Sequence, residues 1–144
     1  MRPKKPVSEK PRPLRVLAAV LENDGRWLIA KRREGDRFAG FWEFTGGTLE
    51  PGETPRECLA RELHEELGIR VRVERCLGTV RSSPPGFAIE LTAYRVSHPV
   101  GSIHLEDHEE VRWVSPEEVG RYALTEPDRL LLDILLAGEG RKKR

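Results

Sequence analysis

The sequence predicts an α+β fold, in which a mixed β-sheet has a helix on each side. Segments with the composition of β-strands outnumber helical segments, and the two kinds do not alternate regularly along the chain. A tight turn at Asn23-Asp24-Gly25 joins the first two strands into a hairpin, and one sharply delimited helix follows at 54–68. This order favours an α+β arrangement over an alternating parallel sheet.

Composition limits the class of protein and its partners. The 144 residues suffice for one domain with a hydrophobic core. With a net charge of +1, the chain has no global field that would attract nucleic-acid polymers or anionic membranes. Its two cysteines make no disulfide framework, and no apolar run resembles a signal peptide or a bilayer span. We therefore expect a cytoplasmic monomer or homodimer that binds neither nucleic-acid polymers nor membranes.

Both ends of the chain are expected to lie outside the fold. Residues 1–13 contain four prolines and five basic residues, a composition that buries no apolar area and predicts a disordered basic tail. The predicted domain covers 14–137. Gly138 and Gly140 are expected to end the last helix, so that 138–144 form a basic C-terminal tail.

Alternation and turn signals assign the other elements. Strands are predicted at 15–22, 27–32, 41–44, 71–80, 87–96 and 111–114. Loops are predicted at 33–40 and 81–86, and the third strand runs into a turn at Thr45-Gly46-Gly47, whose glycines permit close backbone approach. Ser115, followed by Pro116 and Glu118, has the pattern of a helix start, and a final helix is predicted at 127–137.

The central helix has clear signals at both ends. Thr54 is suited to cap its first turn, Glu57 completes a capping box, and Gly68 supplies a left-handed stop. Leucines recur every four residues between these signals, at Leu59, Leu63 and Leu67. We expect this apolar stripe to pack against the sheet.

Three carboxylates lie together on another face of this helix. Glu62, Glu65 and Glu66 are spaced i, i+3 and i+4, so their charges repel within one turn unless a cation lies between them. A solvated charged surface is the ordinary explanation for Glu65 and Glu66 taken alone. The wider pattern favours a metal site.

That pattern, over 47–69, is Gly-x5-Glu-x7-Arg-Glu-Leu-x-Glu-Glu-x-Gly-Ile. It resembles the signature of the Nudix hydrolases at every defined position, and the resemblance covers about residues 14–137. The resemblance implies a mixed sheet sandwiched between helices and hydrolysis of a nucleoside diphosphate linked to another group. Family members that serve only as binding modules usually lose one of these glutamates, whereas this chain retains them all.

The resemblance also implies roles for individual residues. The metal ions would be held by Glu62, Glu65, Glu66 and the carbonyl of Gly47. Glu53 would support this site, and Arg61 would orient the carboxylates by bidentate pairing. Carboxylates without His or Cys partners favour Mg²⁺, with Mn²⁺ as the substitute. Because Mg²⁺ is usually shared with substrate phosphates, the substrate is expected to be a diphosphate or longer.

A later loop is expected to supply one more base or ligand. Asp107 matches that position best, and Glu106 is the alternative because the spacing back from Trp113 allows either. An ordinary solvated acidic loop explains 106–110 about as well. His64 lies beside the helical carboxylates but has no second histidine at ligand spacing, so we expect it not to bind metal.

Local features resemble the MutT-like branch of the family, which hydrolyses (deoxy)nucleoside triphosphates to the monophosphate and pyrophosphate. Arg32 lies where that branch places a phosphate-contacting arginine. Asp128 lies in a segment that presents an Asn or Asp to the base edge, although it could instead cap the last helix. A carboxylate there would select a donor edge, as in cytosine or an oxidised purine. Phe44 is a candidate for the base pocket, with a core role as the alternative.

Other functions stay open at this point. Pro84 or Pro85 stands where a proline often marks ADP-ribose and nucleotide-sugar pyrophosphatases, although prolines also suit a turn there. A dinucleoside polyphosphate hydrolase is less favoured. A catalytically idle domain that senses a nucleotide has only the basic tails in its favour. In each case a nucleotide is the expected small-molecule partner.

Overall fold

A mixed seven-stranded sheet with three helices forms the part of the chain that the computed structural model describes, residues 12–36, 38–83 and 88–142. The strands are β1 (Leu14–Asn23), β2 (Arg26–Arg32), β3 (Trp42–Glu43), β4 (Thr45–Thr48), β5 (Arg70–Ser82), β6 (Ile89–Val100) and β7 (His108–Val114). The helices are α1 (Pro55–Leu67), α2 (Pro116–Val119) and α3 (Glu126–Lys142).

Strand β1 lies at the centre of the sheet. The strand order is β3-β2-β1-β6-β5, with β4 also paired to β1 and β7 to β2. Strands β1 and β6 run parallel, with their register continuous from Leu14 to Leu21, whereas the other pairs are antiparallel. A parallel pair within an otherwise antiparallel sheet confirms the predicted mixed α+β fold.

Alternation along β1 divides the core into two layers. Ala18 and Val20 pack in one apolar cluster with leucines of α3. Leu17, Ala19 and Leu21 pack in a second cluster with the leucine stripe of α1. Because successive side chains of a strand point to opposite faces of the sheet, α1 and α3 cover opposite faces. This is the predicted arrangement of a sheet between helices.

The first hairpin forms as predicted. Asp24 and Gly25 have φ angles of 52° and 74°, and Asn23 pairs with Arg26 across the turn. Positive φ at both central residues defines a type I′ turn, whose twist matches that of the flanking strands.

The predicted turn at 45–47 is wrong. Gly46 and Gly47 lie in strand β4, opposite Ala18 and Leu17 of β1. Gly46 has a φ of 156°, and a Cβ added there would lie 2.0 Å from the Leu17 carbonyl oxygen. The glycine is therefore required by the close approach of β1, a long-range contact that local turn signals do not reveal.

The predicted end of the last helix is also wrong. Helix α3 begins at Glu126 and continues to Lys142, so Gly138 and Gly140 lie inside it, and much of the predicted tail at 138–144 is helical. A glycine ends a helix when its backbone becomes left-handed, as at Gly68, where φ is 68°. Gly138 has no such φ.

Other boundaries differ in detail. Ser115 precedes α2, a single turn, but makes no cap bond, because its hydroxyl donates to Glu118 Oε1 at 2.7 Å. Strand β5 continues through Ser82, so the predicted loop at 81–86 begins later. Pro84 and Pro85 lie outside the described residues, as do 1–11 of the predicted tail. In the described ranges, no helix combines the length and the apolar character needed to cross a membrane.

Candidate active site

Capping interactions fix both ends of α1. The Glu57 N–H donates to Thr54 Oγ1 at 3.1 Å, and the Thr54 N–H donates to Glu57 Oε1 at 2.9 Å. At the other end, the Gly68 N–H donates to the His64 carbonyl at 3.0 Å. The predicted capping box and glycine stop are confirmed.

The leucine stripe and a glycine set the direction of the α1 carboxylates. Leu59, Leu63 and Leu67 are fully buried, so rotating the helix would expose them. In this orientation the Glu62 carboxylate lies against the backbone of Gly47, where an added Cβ would come within 2.3 Å of the carboxylate carbon. Glycine at position 47 therefore provides the space that Glu62 occupies.

Arg61 joins several carboxylates beside this contact. Its Nε and Nη2 donate to the two oxygens of Glu53 at 2.7 and 3.0 Å, a bidentate pair. Its Nη1 donates to Glu62 Oε1 at 2.8 Å and to Glu65 Oε2 at 3.4 Å. The Arg61 hydrogen bonds lower the pKa of Glu53 to about 2, and those with Glu53 are the main cause that raises the pKa of Arg61. One cation thus offsets the mutual repulsion of three carboxylates.

Glu66 has no such cation among the residues that the structure describes. Its Oε2 is buried and has no hydrogen-bond partner within the described ranges. Burial raises the pKa of Glu66, and the neighbouring Glu62 raises it further, with smaller contributions from Glu43 and Asp107. A buried acceptor without a partner destabilises a fold and calls for an explanation, and a bound ion is one.

The residues present fit a divalent cation. The unpartnered oxygen of Glu66 lies close to Glu62, whose carboxylate rests on Gly47, and such hard oxygens suit Mg²⁺. No group of three or more His, Cys, Asp or Glu is already arranged to hold a metal in the described part of the chain. Mg²⁺ commonly keeps several waters and needs one or two protein carboxylates, so a preassembled cage is not required. The roles of the individual ligands remain predictions.

The loop before β7 carries both candidates for the additional carboxylate, Asp107 and Glu106. Asp107 is exposed, yet its charge is among those that raise the pKa of Glu66. The Glu106 side chain lies 3.6 Å from His104, while its N–H donates to the Glu66 carbonyl at 3.1 Å. The choice of Asp107 over Glu106 as the loop carboxylate, and its chemical role, stay predictions. His64 is exposed on α1.

A cleft of about 500 Å³ opens beside Glu66 and Gly47. Its walls combine apolar side chains of β1 and β6 with the first turn of α3. The three residues predicted from the sequence to contact substrate all line it: Arg32, Phe44 and Asp128. The structure therefore brings together residues that are up to 96 positions apart in the chain, from Arg32 to Asp128, around one space beside the carboxylates.

Asp128 is buried where α3 meets the sheet. Its Oδ1 accepts the Phe44 N–H at 3.3 Å, and its Oδ2 accepts the Thr125 hydroxyl at 2.5 Å. Burial raises the pKa of Asp128 to about 7, although its hydrogen bonds act in the opposite direction. Asp128 is not the N-cap residue of α3, because it lies in the first turn of the helix and its Oδ1 bonds to the sheet.

Phe44 and Arg32 are both held by protein contacts in the cleft wall. Phe44 is 4% exposed and packs edge-on against Trp27 at 6.1 Å, so it belongs to the core and also lines the cleft. Arg32 donates to Glu43 at 2.7 Å and to Asp36 at 2.6 Å. Its guanidinium is therefore not a free phosphate ligand but a charge already oriented by two carboxylates.

Sequence reasoning assigned no role to two polar residues beside Arg32, the half-buried Glu43 and the buried His108. Glu43 Oε2 and His108 Nε2 lie 2.9 Å apart. His108 begins β7, whereas the sequence predicted a strand only from 111. Glu43 lies in the predicted aromatic strand 41–44, which did not assign it a role. A second contact that the sequence did not reveal runs from the Ser82 hydroxyl to Glu126 Oε1 at 2.7 Å and joins the end of β5 to α3 at the cleft.

Comparison with known proteins agrees with this geometry. The NUDIX domain family model matches residues 11–133. The CTP pyrophosphohydrolase of Escherichia coli K12 is 39% identical over 124 residues, which cover 86% of this chain and 92% of that protein. The 8-oxo-dGTP diphosphatase of Proteus vulgaris is 40% identical over 85 residues, 58% of this chain and 76% of that protein. The solution structure of the E. coli ORF135 protein has a TM-score of 0.80 at 38% identity, covering 88% of this chain and 90% of that one.

Proposed function

Because this chain belongs to the Nudix family of hydrolases, which act on phosphoric anhydride bonds, we propose that it is a Mg²⁺-dependent enzyme that cleaves a (deoxy)nucleoside triphosphate to the monophosphate and pyrophosphate. One observation carries the proposal. A single cleft of about 500 Å³ is lined by Glu66 of the carboxylate cluster and by Asp128 of α3. A nucleotide needs both, since its phosphates and its base must be held at the same time, and the volume suits a small-molecule ligand.

Mg²⁺ would be held by Glu62, Glu65, Glu66 and the Gly47 carbonyl. Bound there, the ion would polarise phosphoryl oxygens, activate water and offset charge on the departing pyrophosphate. Glu66 would contribute the buried oxygen that has no partner within the described residues. Glu53 and Arg61 would keep the carboxylates apart and oriented through their bidentate pair. Mn²⁺ has similar ligand preferences and is expected to substitute.

Asp107 is the proposed additional base or metal ligand. It is exposed to solvent, and its charge acts on Glu66. An exposed carboxylate beside the metal site can accept a proton from the attacking water. Glu106 is less suited to this role, since its side chain is directed to His104.

Asp128 is the proposed reader of the base. Each of its oxygens accepts one protein hydrogen bond and keeps a lone pair for a donor on the ligand. An exocyclic amino group, such as that of cytosine, is a matching donor. Similarity to a CTP pyrophosphohydrolase over 86% of this chain favours a cytosine nucleotide, whereas similarity to an 8-oxo-dGTP diphosphatase extends over 58%. Phe44 would pack against the nucleoside, and Arg32 would contact its phosphates.

A substrate panel tests the proposal. We would measure pyrophosphate and monophosphate release from CTP, dCTP, the other (d)NTPs, 8-oxo-dGTP, ADP-ribose and nucleotide sugars, with Mg²⁺ or with EDTA. We expect the highest kcat/KM for CTP or dCTP, no release in EDTA, and recovery when excess Mg²⁺ is restored. Turnover confined to ADP-ribose or sugars would refute the triphosphate assignment. A folded protein that binds nucleotides without turnover would instead be a sensor.

Substitution of Asp128 by asparagine tests base recognition separately from phosphate chemistry. Asparagine retains one acceptor oxygen but replaces the other with a donor. We expect the kcat/KM ratio of CTP to the other triphosphates to fall by about tenfold, the size of one discriminating hydrogen bond. An unchanged substrate profile would remove Asp128 from the base site, while its contact with Phe44 would stay a structural one.

A further inference from the structure

We propose that His108 is a positioning residue for substrate binding, because it holds Glu43, which in turn orients the Arg32 guanidinium in the cleft. The inference rests on the proposed function, which assigns Arg32 to the substrate phosphates. His108 itself is not among the residues that line the cleft. Its influence on the substrate must therefore pass through another side chain.

His108 is buried, and its Nε2 atom is the hydrogen-bond donor to Glu43. Its side chain is 5% exposed, and its Nε2 lies 2.9 Å from Glu43 Oε2. A carboxylate oxygen accepts hydrogen bonds, so Nε2 carries the hydrogen and donates. The Nδ1 atom is buried without a partner in the described part of the chain. The Glu43 contact is therefore the polar interaction that fixes this ring.

A β-bulge directs His108 toward Glu43. Lys31 of β2 pairs with Glu110 of β7, but the next residue, Arg32, pairs with His108, so Glu109 is the extra residue. Glu109 is directed outward, with its side chain 53% exposed and 4.0 Å from Lys31. Without the bulge, Glu109 would face Arg32 and the histidine would move out of register.

Glu43 divides its two oxygens between histidine and arginine. Oε2 accepts from His108, and Oε1 accepts from Arg32 Nη1 at 2.7 Å. The other end of the guanidinium donates from Nη2 to Asp36 Oδ1 at 2.6 Å. Two carboxylates at separate nitrogens fix the plane of the guanidinium, which lies 5.7 Å from the Phe38 ring centre.

Loss of the histidine donor would release one oxygen of Glu43. The carboxylate could then rotate and bind Arg32 through both oxygens, an arrangement that arginine readily accepts. The guanidinium would turn away from the cleft, although no atom of the cleft wall had been replaced. We therefore expect a weaker interaction with substrate, expressed in KM, while the reacting carboxylates keep their places.

Two amide substitutions separate this role from simple packing. Glutamine places its amide nitrogen near the position of Nε2, whereas asparagine places its amide near Nδ1, so only His108→Gln can donate to Glu43. With Mg²⁺ and CTP, we expect His108→Asn to raise KM about tenfold, as for loss of one hydrogen bond to a charged group, with kcat changed less. His108→Gln should keep a KM close to that of the wild type. Equal KM values in the two variants would overturn the inference.

The exposed His104 supplies a matched control. Its side chain is 79% exposed, so His104→Asn makes the same chemical change without touching the contact to Glu43. We expect its KM to equal that of the wild type. An increase like that of His108→Asn would overturn the inference, because the effect would then not depend on the buried contact.

A double-substitution cycle tests whether His108 acts through Arg32. In an Arg32→Ala background, His108→Asn should leave KM unchanged, because the guanidinium that it orients is gone. The same fold-increase in both backgrounds would overturn the inference.

If the His108 variants do not fold, Glu43→Asp is the second test, since a shorter side chain cannot reach both partners. It should raise KM similarly, and a wild-type KM would overturn the inference.

These outcomes are distinct from failure of the proposed function. If the wild type releases no pyrophosphate from any triphosphate, the proposed function is wrong and this inference falls with it. If the wild type turns over CTP but KM is insensitive to His108 and Glu43, only the positioning role is wrong.

Discussion

At the scale of single residues, Glu66 is both the proposed metal ligand and a buried group that destabilises the metal-free fold. Its buried Oε2 lacks a partner among the described residues, and burial raises its pKa. Since the folded protein holds the Glu66 proton more tightly than the unfolded chain does, ionisation of Glu66 at neutral or alkaline pH weakens the metal-free fold. In EDTA at pH 8, we expect Glu66→Gln to raise Tm by about 3 °C, equivalent to roughly 1 kcal/mol, and to abolish turnover when Mg²⁺ is supplied.

Calorimetry with and without Mg²⁺ checks this expectation. Mg²⁺ should raise the Tm of the wild type, because a ligand that binds only the folded state stabilises it, and should raise that of Glu66→Gln much less. Glu65→Gln is the control, since that side chain is 58% exposed and its Tm in EDTA should change little. A lower Tm for Glu66→Gln in EDTA, or near wild-type turnover, would contradict the assignment of Glu66 as a metal ligand.

Gly47 provides a second prediction for a single residue. A Cβ at this position would lie 2.3 to 2.6 Å from the atoms of the Glu62 carboxylate, which must therefore move. We expect Gly47→Ala to lower kcat by about a hundredfold, as for a misplacement of about 1 Å at a reacting centre, while the circular dichroism spectrum is retained. Gly138→Ala is the control, because no atom lies within 4 Å of its added Cβ, and its activity should be unchanged. Wild-type kcat in Gly47→Ala would show that the position of Glu62 is not critical.

The site residues that could be predicted from the sequence are those whose spacing along the chain already places them together. Glu62 and Glu66 follow from helical spacing, and their place on one turn needs no knowledge of the sheet. The pair of Glu43 and His108 could not be predicted in this way. It depends on a bulge between β2 and β7, and register shifts of one residue are decided by long-range pairing.

At the scale of elements, α1 depends on its cap. Thr54 and Glu57 exchange two hydrogen bonds at the helix start. We expect Thr54→Ala to reduce the free energy of unfolding by about 1 kcal/mol, the usual contribution of such a cap, as measured by urea denaturation. Ser115→Ala is the matched control, because Ser115 makes no cap bond to α2, and a smaller loss is expected. Equal losses would show that the capping box does not stabilise α1.

The difference between local signals and long-range contacts also explains which element boundaries were predictable. Helix α1 has a cap, an apolar period and a left-handed glycine within its own sequence, and its bounds agree with the prediction. Strand β4 is extended because it pairs with β1, although Gly46 and Gly47 read locally as a turn. Helix α3 continues past Gly138 because that glycine keeps a helical backbone rather than a left-handed one. At β4, tertiary pairing with β1 overrides the local turn propensity.

At the scale of the whole molecule, the cleft is a product of the sheet order. Parallel pairing of β1 with β6 brings apolar side chains from distant segments to one face, and α3 closes that face. The mixed sheet between helices was predictable from the order of elements and from the family resemblance. The presence of Arg32, Phe44 and Asp128 around one space required the folded chain.

Asp128 joins the two halves of this arrangement, and its ionisation should couple their stability to pH. Its carboxylate, on α3, accepts the N–H of Phe44 from the sheet, and burial raises its pKa from 3.8 to about 7. The folded state therefore binds the proton more tightly, so the contribution of Asp128 to stability is fully present below about pH 4 and is lost as pH rises to about 7.

Asparagine has the same shape as aspartate and does not ionise, so Asp128→Asn isolates this contribution. We expect the free energy of unfolding of the wild type, minus that of Asp128→Asn, to fall over this range by on the order of 4 kcal/mol at most, at about 1.4 kcal/mol per pKa unit. Urea denaturation of the metal-free proteins at pH 4, 5.5, 7 and 8.5 measures the difference, from which the titration of Glu66 cancels because both proteins contain it. A difference that stays constant or increases with pH would show that the buried carboxyl ionises at or below its ordinary range and that α3 is held to the sheet by a charged group.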